Sequence, residues 1–442
     1  MIVIIGNGIS GVTAARHIRK LSDTPITIIS SESKYFYSRT ALMYIYMGHM
    51  KFEHTQPYED SFWDKNDISL LYDHVNQIDH TNNEVYTEKG KVINYTKLII
   101  ASGSKPNKFG WKGQDLKGVQ GLYSKQDLES MELSTKNISN AVVVGGGLIG
   151  VEMAEMLASR KIKVKFLVRE THFWGGILPK EDSEFVMSHL NKHPEIEMMY
   201  NTELDEIIGD NIVEAIKTKN GETIPCEFVG LAVGVSPNID FLTNSGIETQ
   251  RGILINNNFE TSIPDIYAIG DCAEFKTPII GRRNIEQVWY TGRIMGEQLA
   301  NHLFKSKTEY EPGIWFNSAK FFDLEYQTYG KVSNVLSENE DAFIYTDQKS
   351  EIHLNFTFER ETGAIIGVNT FGLRLRHLVF EKWIAENTHI EKVISQLSVA
   401  NFDPEFYKKH EPKIIDQFNR QFNTKLKLAD KKWWQTIIKS TH

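Results

Sequence analysis

The chain has 442 residues, enough for about two or three domains. Hydrophobic residues at 41% and charged residues at 24% are the ordinary balance of a soluble globular protein, and a net charge of −8 removes any bulk electrostatic case for nucleic acid. No run reaches ~18 uninterrupted apolar residues, so no membrane-crossing helix and no secretory leader are expected. The two cysteines, Cys226 and Cys272, lie 46 positions apart, which argues against a disulfide framework, excludes a closely spaced redox pair and points to the reducing cytoplasm.

Met1 to Ile5 reads as a short buried strand. It breaks into Gly6-x-Gly8-x-x-Gly11, and Val12 to Leu21 reads as a helix. Strand, glycine turn and helix are the context of a dinucleotide fingerprint, in which a pyrophosphate sits on the helix N-terminus. A second strand follows at 26–30. Glu32, 21 positions after Gly11, suits a ribose-binding carboxylate or a solvated loop acid. The aromatic and Met-rich stretch 35–50 reads as helix core. Residues 62–79 contain a strand, 83–100 a hairpin-like alternation ending in KLIIA, and 102–106 a turn. A second complete unit follows: strand 141–144, Gly145-x-Gly147-x-x-Gly150, a helix from Val151, and strand 163–168. Two such units in one chain are far more specific than one, and give two nucleotide-binding domains. From about Trp315 short alternating runs imply an antiparallel sheet of hairpins, and Arg374 to Ser395 reads as helical.

With these elements in place, the chain resembles the FAD-dependent pyridine nucleotide-disulfide oxidoreductase superfamily, nearest to its ferredoxin, rubredoxin and nitrite reductase flavoproteins. The resemblance rests on the N-terminal fingerprint, KLIIASGSKP at 97–106, VVVGGGLIGVEMAE at 142–155, LAVGVSPN at 231–238 and TSIPDIYAIGDCAE at 261–274. It implies an α/β fold with two Rossmann-like domains, glutathione-reductase-like, plus a C-terminal α+β domain. The implied boundaries are 1–112 with 250–314 for FAD, 113–249 for NAD(P)H and 315–442 for an interface domain. The FAD residues so implied are Gly6, Gly8, Ser10, Gly11, Glu32, Arg39, Ala101, Ser102, Gly103, Gly270, Asp271 and Trp289, with Asp271 on the ribityl chain. Those for NADH or NADPH are Gly145, Gly147, Leu148, Ile149, Gly150, Glu152, Arg169, Glu170 and Gly234. Glu170, 20 positions after Gly150, favours NADH, whereas Arg169 beside it would grip the extra phosphate of NADPH.

The departures are informative. Thr40 stands where the neighbouring CoA-disulfide reductase branch has its reactive cysteine, so thiol exchange is not available there. Tyr44 stands where the reductase branch often has a flavin-facing lysine. Tyr44 and Glu152 are therefore the candidates near flavin and nicotinamide, and no side chain is assigned as a nucleophile. Hydride would pass from NAD(P)H to FAD, and electrons then to an external acceptor, by family analogy a small iron-containing redox protein. The alternatives are a peripheral membrane quinone reductase, touching the bilayer through the Trp- and Lys-rich 428–442, or a flavin-bearing NAD(P)H sensor. A homodimer is compatible with this plan, and no metal ligand set is expected.

Overall fold

The computed structural model describes residues 1–402 and 408–429. Contacts divide the chain into two compact units. One joins Met1–Arg169 to Glu195–Pro312, and the other joins Glu170–Pro194 to the described residues from Gly313 onward.

The first unit holds two five-stranded parallel sheets built to one plan. Ile2–Ile5 is apolar at every position and buried at every position, as a strand must be when its sheet is covered on both faces. It lies at the centre of the order Ile266–Ala268, Lys97–Ile100, Ile2–Ile5, Ile26–Ser30, Ile68–Tyr72. Asn140–Val144 takes the same place in the order Ile196–Met199, Lys163–Leu167, Asn140–Val144, Phe228–Leu231, Val119–Gln120. Each central strand feeds a glycine turn and then a helix, Ile9–Leu21 in the first sheet and Leu148–Ser159 in the second. This is the α/β, doubly wound arrangement expected from the paired fingerprints. The outer strand Ile266–Ala268 comes from beyond the whole second sheet, so the second sheet is inserted within the first. Both are tied by an antiparallel ribbon in which Ser104–Pro106 pairs with Val235–Pro237. Composition marks 102–106 as a turn; the chain turns only as far as Gly103, at φ +72°, and is extended from Ser104.

The second unit is built on an antiparallel sheet in the order Phe316–Phe321, Leu324–Gly330, Ile365–Phe371, Ile352–Glu359, Glu340–Asp347. Along Ile352–Glu359, side chains alternate between faces. Ile352, Leu354, Phe356 and Phe358 join an aromatic core with Phe380 of helix His377–Ala385 and Phe418 of helix Glu411–Phe422. The opposite face carries His353, Asn355 and Thr357, which by alternation alone would meet water, yet all three are buried. The reason is helix Lys180–Leu190. Its Asp182, wholly buried, lies 2.9 Å from His353 Nε2 and accepts hydrogen bonds from Asn355 Nδ2 at 2.8 Å and Asn369 Nδ2 at 2.7 Å. Phe185, on the same helix, stacks on the His353 ring with centroids 5.1 Å apart. Thus 170–194 is anchored to the C-terminal sheet by one carboxylate with three partners.

The stretch Arg374 to Ser395, read as helical, is helical in two pieces. The structure has two helices, His377–Ala385 and Ile390–Ser395, because Asn387 takes a left-handed conformation (φ +50°) and His389 Nδ1 caps the second by accepting from the Glu391 amide. The Trp- and Lys-rich tail from 430 lies outside the described residues, and no described helix is long and apolar enough to cross a membrane.

Replacing Asp182 by alanine leaves three buried polar side chains without their shared acceptor. We expect a loss of about 3–5 kcal/mol in the stability of the second unit, read as a lower urea midpoint for that unit's transition.

Candidate functional site

Both glycine turns have the same physical logic. Gly6 (φ +107°) and Gly145 (φ +112°) follow the central strands. A Cβ on Gly6 would lie 2.1 Å from the carbonyl oxygen of Ala101 on the neighbouring strand, and one on Gly145 would lie 2.3 Å from that of Ala232. Only glycine accepts both the dihedral and the approach. Gly11 and Gly150 are closed in turn by the carbonyls of Gly6 and Gly145, at 2.2 and 2.1 Å from an added Cβ. The middle residues are the opposite: nothing lies within 4 Å of a Cβ on Gly8 or Gly147. Each is the N-cap of its helix, without a side-chain cap and without an acidic residue in the first turn. Two glycines closed by backbone and one left open over uncapped helix amides form a cradle that a pyrophosphate fits.

Around the first cradle the structure gathers most of the residues expected there. Ser10 is buried against Gly270, where an added Cβ would sit 2.3 Å from its Oγ. Asp271 follows, and Ser104 Oγ donates to its Oδ2 at 3.1 Å. Burial pushes the Asp271 carboxyl above its ordinary range, against the pull of the Ser104 hydrogen bond. A desolvated acceptor of this kind suits the hydroxyls of a polyol chain. Ser104 also receives a hydrogen bond from Gln287 Nε2 at 2.8 Å, and its amide donates to the Tyr123 hydroxyl at 2.9 Å. Burial, with Asp271 nearby, pushes that phenol up to about 12, so it stays protonated. Gly103 packs beneath Tyr123 Oη, and Ser102 Oγ donates to the Asn238 carbonyl at 2.7 Å. Trp289, half-buried, opens helix Trp289–Phe304.

Glu32 and Arg39 form a bidentate pair, Nη1 to Oε1 at 2.9 Å and Nη2 to Oε2 at 2.6 Å. Arg39 Nη1 also donates to the Tyr123 carbonyl, and its guanidinium lies 4.3 Å over the Tyr123 ring. Glu32 further accepts from the Tyr37 hydroxyl and the Lys125 amide. Burial opposes the charge on both partners. Their mutual attraction nevertheless holds Glu32 below and Arg39 above its usual range. Tyr123, Ser104 and Gln287 were not singled out by sequence. The available signal for Tyr123 was the capping box that follows it, in which Ser124 Oγ accepts from the Asp127 amide and the Asp127 carboxylate accepts from the Tyr123 and Ser124 amides.

At the second cradle Leu148 and Ile149 open the helix, and Gly234 (φ +90°) places its carbonyl on the Asn107 amide at 3.0 Å. Val168, between strand Lys163–Leu167 and Arg169, is buried beside Gly146. Arg169 is exposed and Glu170 half-buried just beyond it. Glu152 sits one turn into the helix. Burial, reinforced by Glu155 three residues on, pushes its carboxyl up to about 7. Tyr44 lies on the short helix Leu42–Tyr46, which packs on Leu148–Ser159 and is fastened by Arg160 Nη2 donating to the Tyr46 carbonyl at 2.6 Å. The Tyr44 ring stacks on His49 at 6.1 Å. Thr40 is exposed in the turn Arg39–Ala41. Both cysteines are free and buried, with thiols pushed up by burial, Cys226 to about 12.

With this geometry in hand, the comparisons are specific. Residues 1–296 match the pyridine nucleotide-disulphide oxidoreductase family, and the chain belongs to that family. It is 28% identical over 375 residues to the nitrite reductase [NAD(P)H] of Bacillus subtilis, covering 84% of this chain and 45% of that one. The chain thus spans less than half of that relative. It is 33% identical over 275 residues to the NADH-rubredoxin oxidoreductase of Clostridium acetobutylicum, covering 62% and 68%. A solved NAD-dependent persulfide reductase from A. fulgidus superposes with a TM-score of 0.81 at 23% identity, covering 96% of this chain and 83% of that one, which establishes the fold. FAD and NAD(P)H are the family's cofactors, and the two open cradles are where this chain has room for them.

Two outcomes follow from the geometry. Gly8→Ala should leave the fold within about 1 kcal/mol of wild type yet weaken flavin retention at least tenfold by blocking the cradle. Gly6→Ala should fail to fold. Flavin absorbance after gel filtration, beside circular dichroism, separates the two. Between pH 4.5 and about 7 native Glu152 keeps a proton that the unfolded chain releases, so stability falls as pH rises through that window and stays lower above it. Glu152→Gln should abolish a decline of about 3 kcal/mol, seen as urea midpoints at pH 5 and 8 that differ less than in wild type.

Proposed function

We propose that the chain is an FAD-dependent NAD(P)H oxidoreductase that serves an external electron acceptor without a cysteine relay, the acceptor being a small iron-containing redox protein. The observation that carries this reading is the pair of open glycine cradles in one compact unit, joined through the Ser104–Pro106 ribbon. A flavin held at the Gly8 cradle would supply hydride acceptance from a nicotinamide held at the Gly147 cradle and onward electron transfer.

The chain's own residues bind and orient. The Gly8 cradle and the helix amides behind it hold the FAD pyrophosphate. Asp271, kept in place by Ser104 and Gln287, accepts from ribityl hydroxyls. The Glu32–Arg39 pair and Tyr123 form a rigid wall beside them. Because both Glu32 oxygens are occupied by Arg39, a ribose hydroxyl would share that carboxylate rather than own it. The Gly147 cradle holds the pyrophosphate of the pyridine nucleotide, with NADH preferred on the strength of Glu170. Glu152 and Tyr44 stand on packed helices beside that cradle, where a carboxyl raised to about 7 carries less negative charge at neutral pH than an ordinary glutamate. The absence of a relay is supported by Thr40 at the reactive position and by two buried, protonated thiols. Buried free thiols also accord with the cytoplasm. The rubredoxin named for one relative supports an iron-containing acceptor for this chain.

The test is anaerobic titration of the purified holoprotein with NADH and NADPH separately, followed by turnover with ferricyanide and with rubredoxin. Flavin bleaching by NADH at lower concentration than NADPH, and turnover unchanged in the double variant Cys226→Ser/Cys272→Ser, are expected. A flavin that neither nucleotide bleaches would overturn the enzyme reading.

A further inference from the structure

Outside the nucleotide sites, one cluster of side chains in the second unit has the composition and spacing of a metal-binding site. His189 lies in the last turn of helix Lys180–Leu190. His193 follows four residues later, in turns continued by the Lys192 amide on the His189 carbonyl and the His193 amide on the Leu190 carbonyl. Asp323 lies in the tight turn between strands Phe316–Phe321 and Leu324–Gly330. One ligand atom from each of the three lies within 4.8 Å of the others. His189 Nε2 is 2.9 Å from Asp323 Oδ1, and His193 Nε2 is 3.8 Å from the same oxygen. Tetrahedral zinc with bonds of ~2.0–2.2 Å holds its donors about 3.3 Å apart, between these two values.

Three further features fit. The other ring nitrogen of His189, Nδ1, lies 3.2 Å from Glu351 Oε1. A carboxylate behind a ligating imidazole fixes the tautomer that leaves Nε2 free to bind. Glu351 is itself balanced by Lys192. The ring of His193 is set by stacking on Phe322, with centroids 4.1 Å apart, and Phe322 takes φ +58° at the turn that presents Asp323. Finally, the His189 side chain is only 6% exposed whereas that of Asp323 is 76% exposed, so one side of the cluster is closed by protein and the other is open for a water as fourth ligand.

We propose that His189, His193 and Asp323 form a binding site for one divalent first-row transition-metal ion, zinc being the ion whose ligand preference they match, with Glu351 orienting His189. The site is distinct from the nucleotide cradles. It clips the end of helix Lys180–Leu190 to the hairpin at Phe322, as Asp182 fixes the start of the same helix to the sheet. Imidazole nitrogens and one carboxylate disfavour magnesium and calcium, which take oxygen sets.

The experiment is isothermal titration of tag-free, chelator-treated, FAD-loaded full chain with zinc sulfate at pH 7.5, with cobalt as a spectroscopic probe. Expected are one equivalent bound, visible d–d bands of a four-coordinate cobalt site, and a rise in melting temperature with zinc. Asp323→Asn and His193→Gln, on exposed or half-buried groups, should fold and each weaken binding at least tenfold; Glu351→Gln should weaken it with the stoichiometry kept. No stoichiometric binding by wild type, or binding unaltered in both Asp323→Asn and His193→Gln, would overturn the proposal and leave the cluster as an ion pair between His189 and its carboxylates. Flavin content measured in the same samples keeps this outcome separate from any failure of the oxidoreductase reading.

Discussion

The nucleotide-binding unit depends on one close approach, made twice. A glycine at the end of a central strand is pressed against the carbonyl of the next strand over, Gly6 on Ala101 and Gly145 on Ala232. That approach sets the turn, aims the helix and leaves the middle glycine facing open space. The surrounding polar groups are placed with reference to it. Ala101 is followed by Ser102 to Ser104, which reach Asp271, while Ala232 is followed by Gly234 and the strand that pairs back onto Ser104–Pro106. The backbone crossing therefore positions both cradles and, through them, the side chains that would meet the cofactors.

The second unit is ordered by a different force. Its sheet presents a polar strip, His353, Asn355 and Asn369, that could not be buried without an acceptor. Asp182 supplies one. The cost of taking a carboxylate out of water is met by three hydrogen-bonding partners and by the Phe185 ring covering His353. Hydrophobic matching alone would let helix Lys180–Leu190 slide on the sheet; a shared carboxylate admits one register. The same helix bears His189 at its far end, so its two ends are tied by different chemistry.

Much of this was legible in the chain. Glycine spacing after an apolar run announces a turn because no other residue tolerates the dihedral and the contact, and Gly270 and Asp271 were expected from the motif at 261–274 that carries the family resemblance. What was not legible came from long-range pairing. Tyr123 and Gln287 reach the first site from segments whose own patterns are those of a helix cap and a loop. Asp182 reads as an ordinary acid in a helical first turn, and His353 and Asn355 read as the wet face of a strand. Their meaning exists only once segments about 170 residues apart are side by side. Glu32 and Arg39 were both expected near the cofactor, but that they neutralise each other is a fact of geometry that spacing does not carry.

The insertion of one sheet inside the other has a consequence for how the chain is made. Strands Val119–Gln120 to Phe228–Leu231 complete the second sheet from one continuous stretch, whereas the first lacks its edge strand until Ile266–Ala268 emerges. During synthesis the inner sheet can therefore close while the outer one, begun earlier, still waits with Lys97–Ile100 unpaired on one side. Within the first unit, the sheet begun earlier is completed after the one begun later, and until then it presents an exposed strand edge open to misassembly.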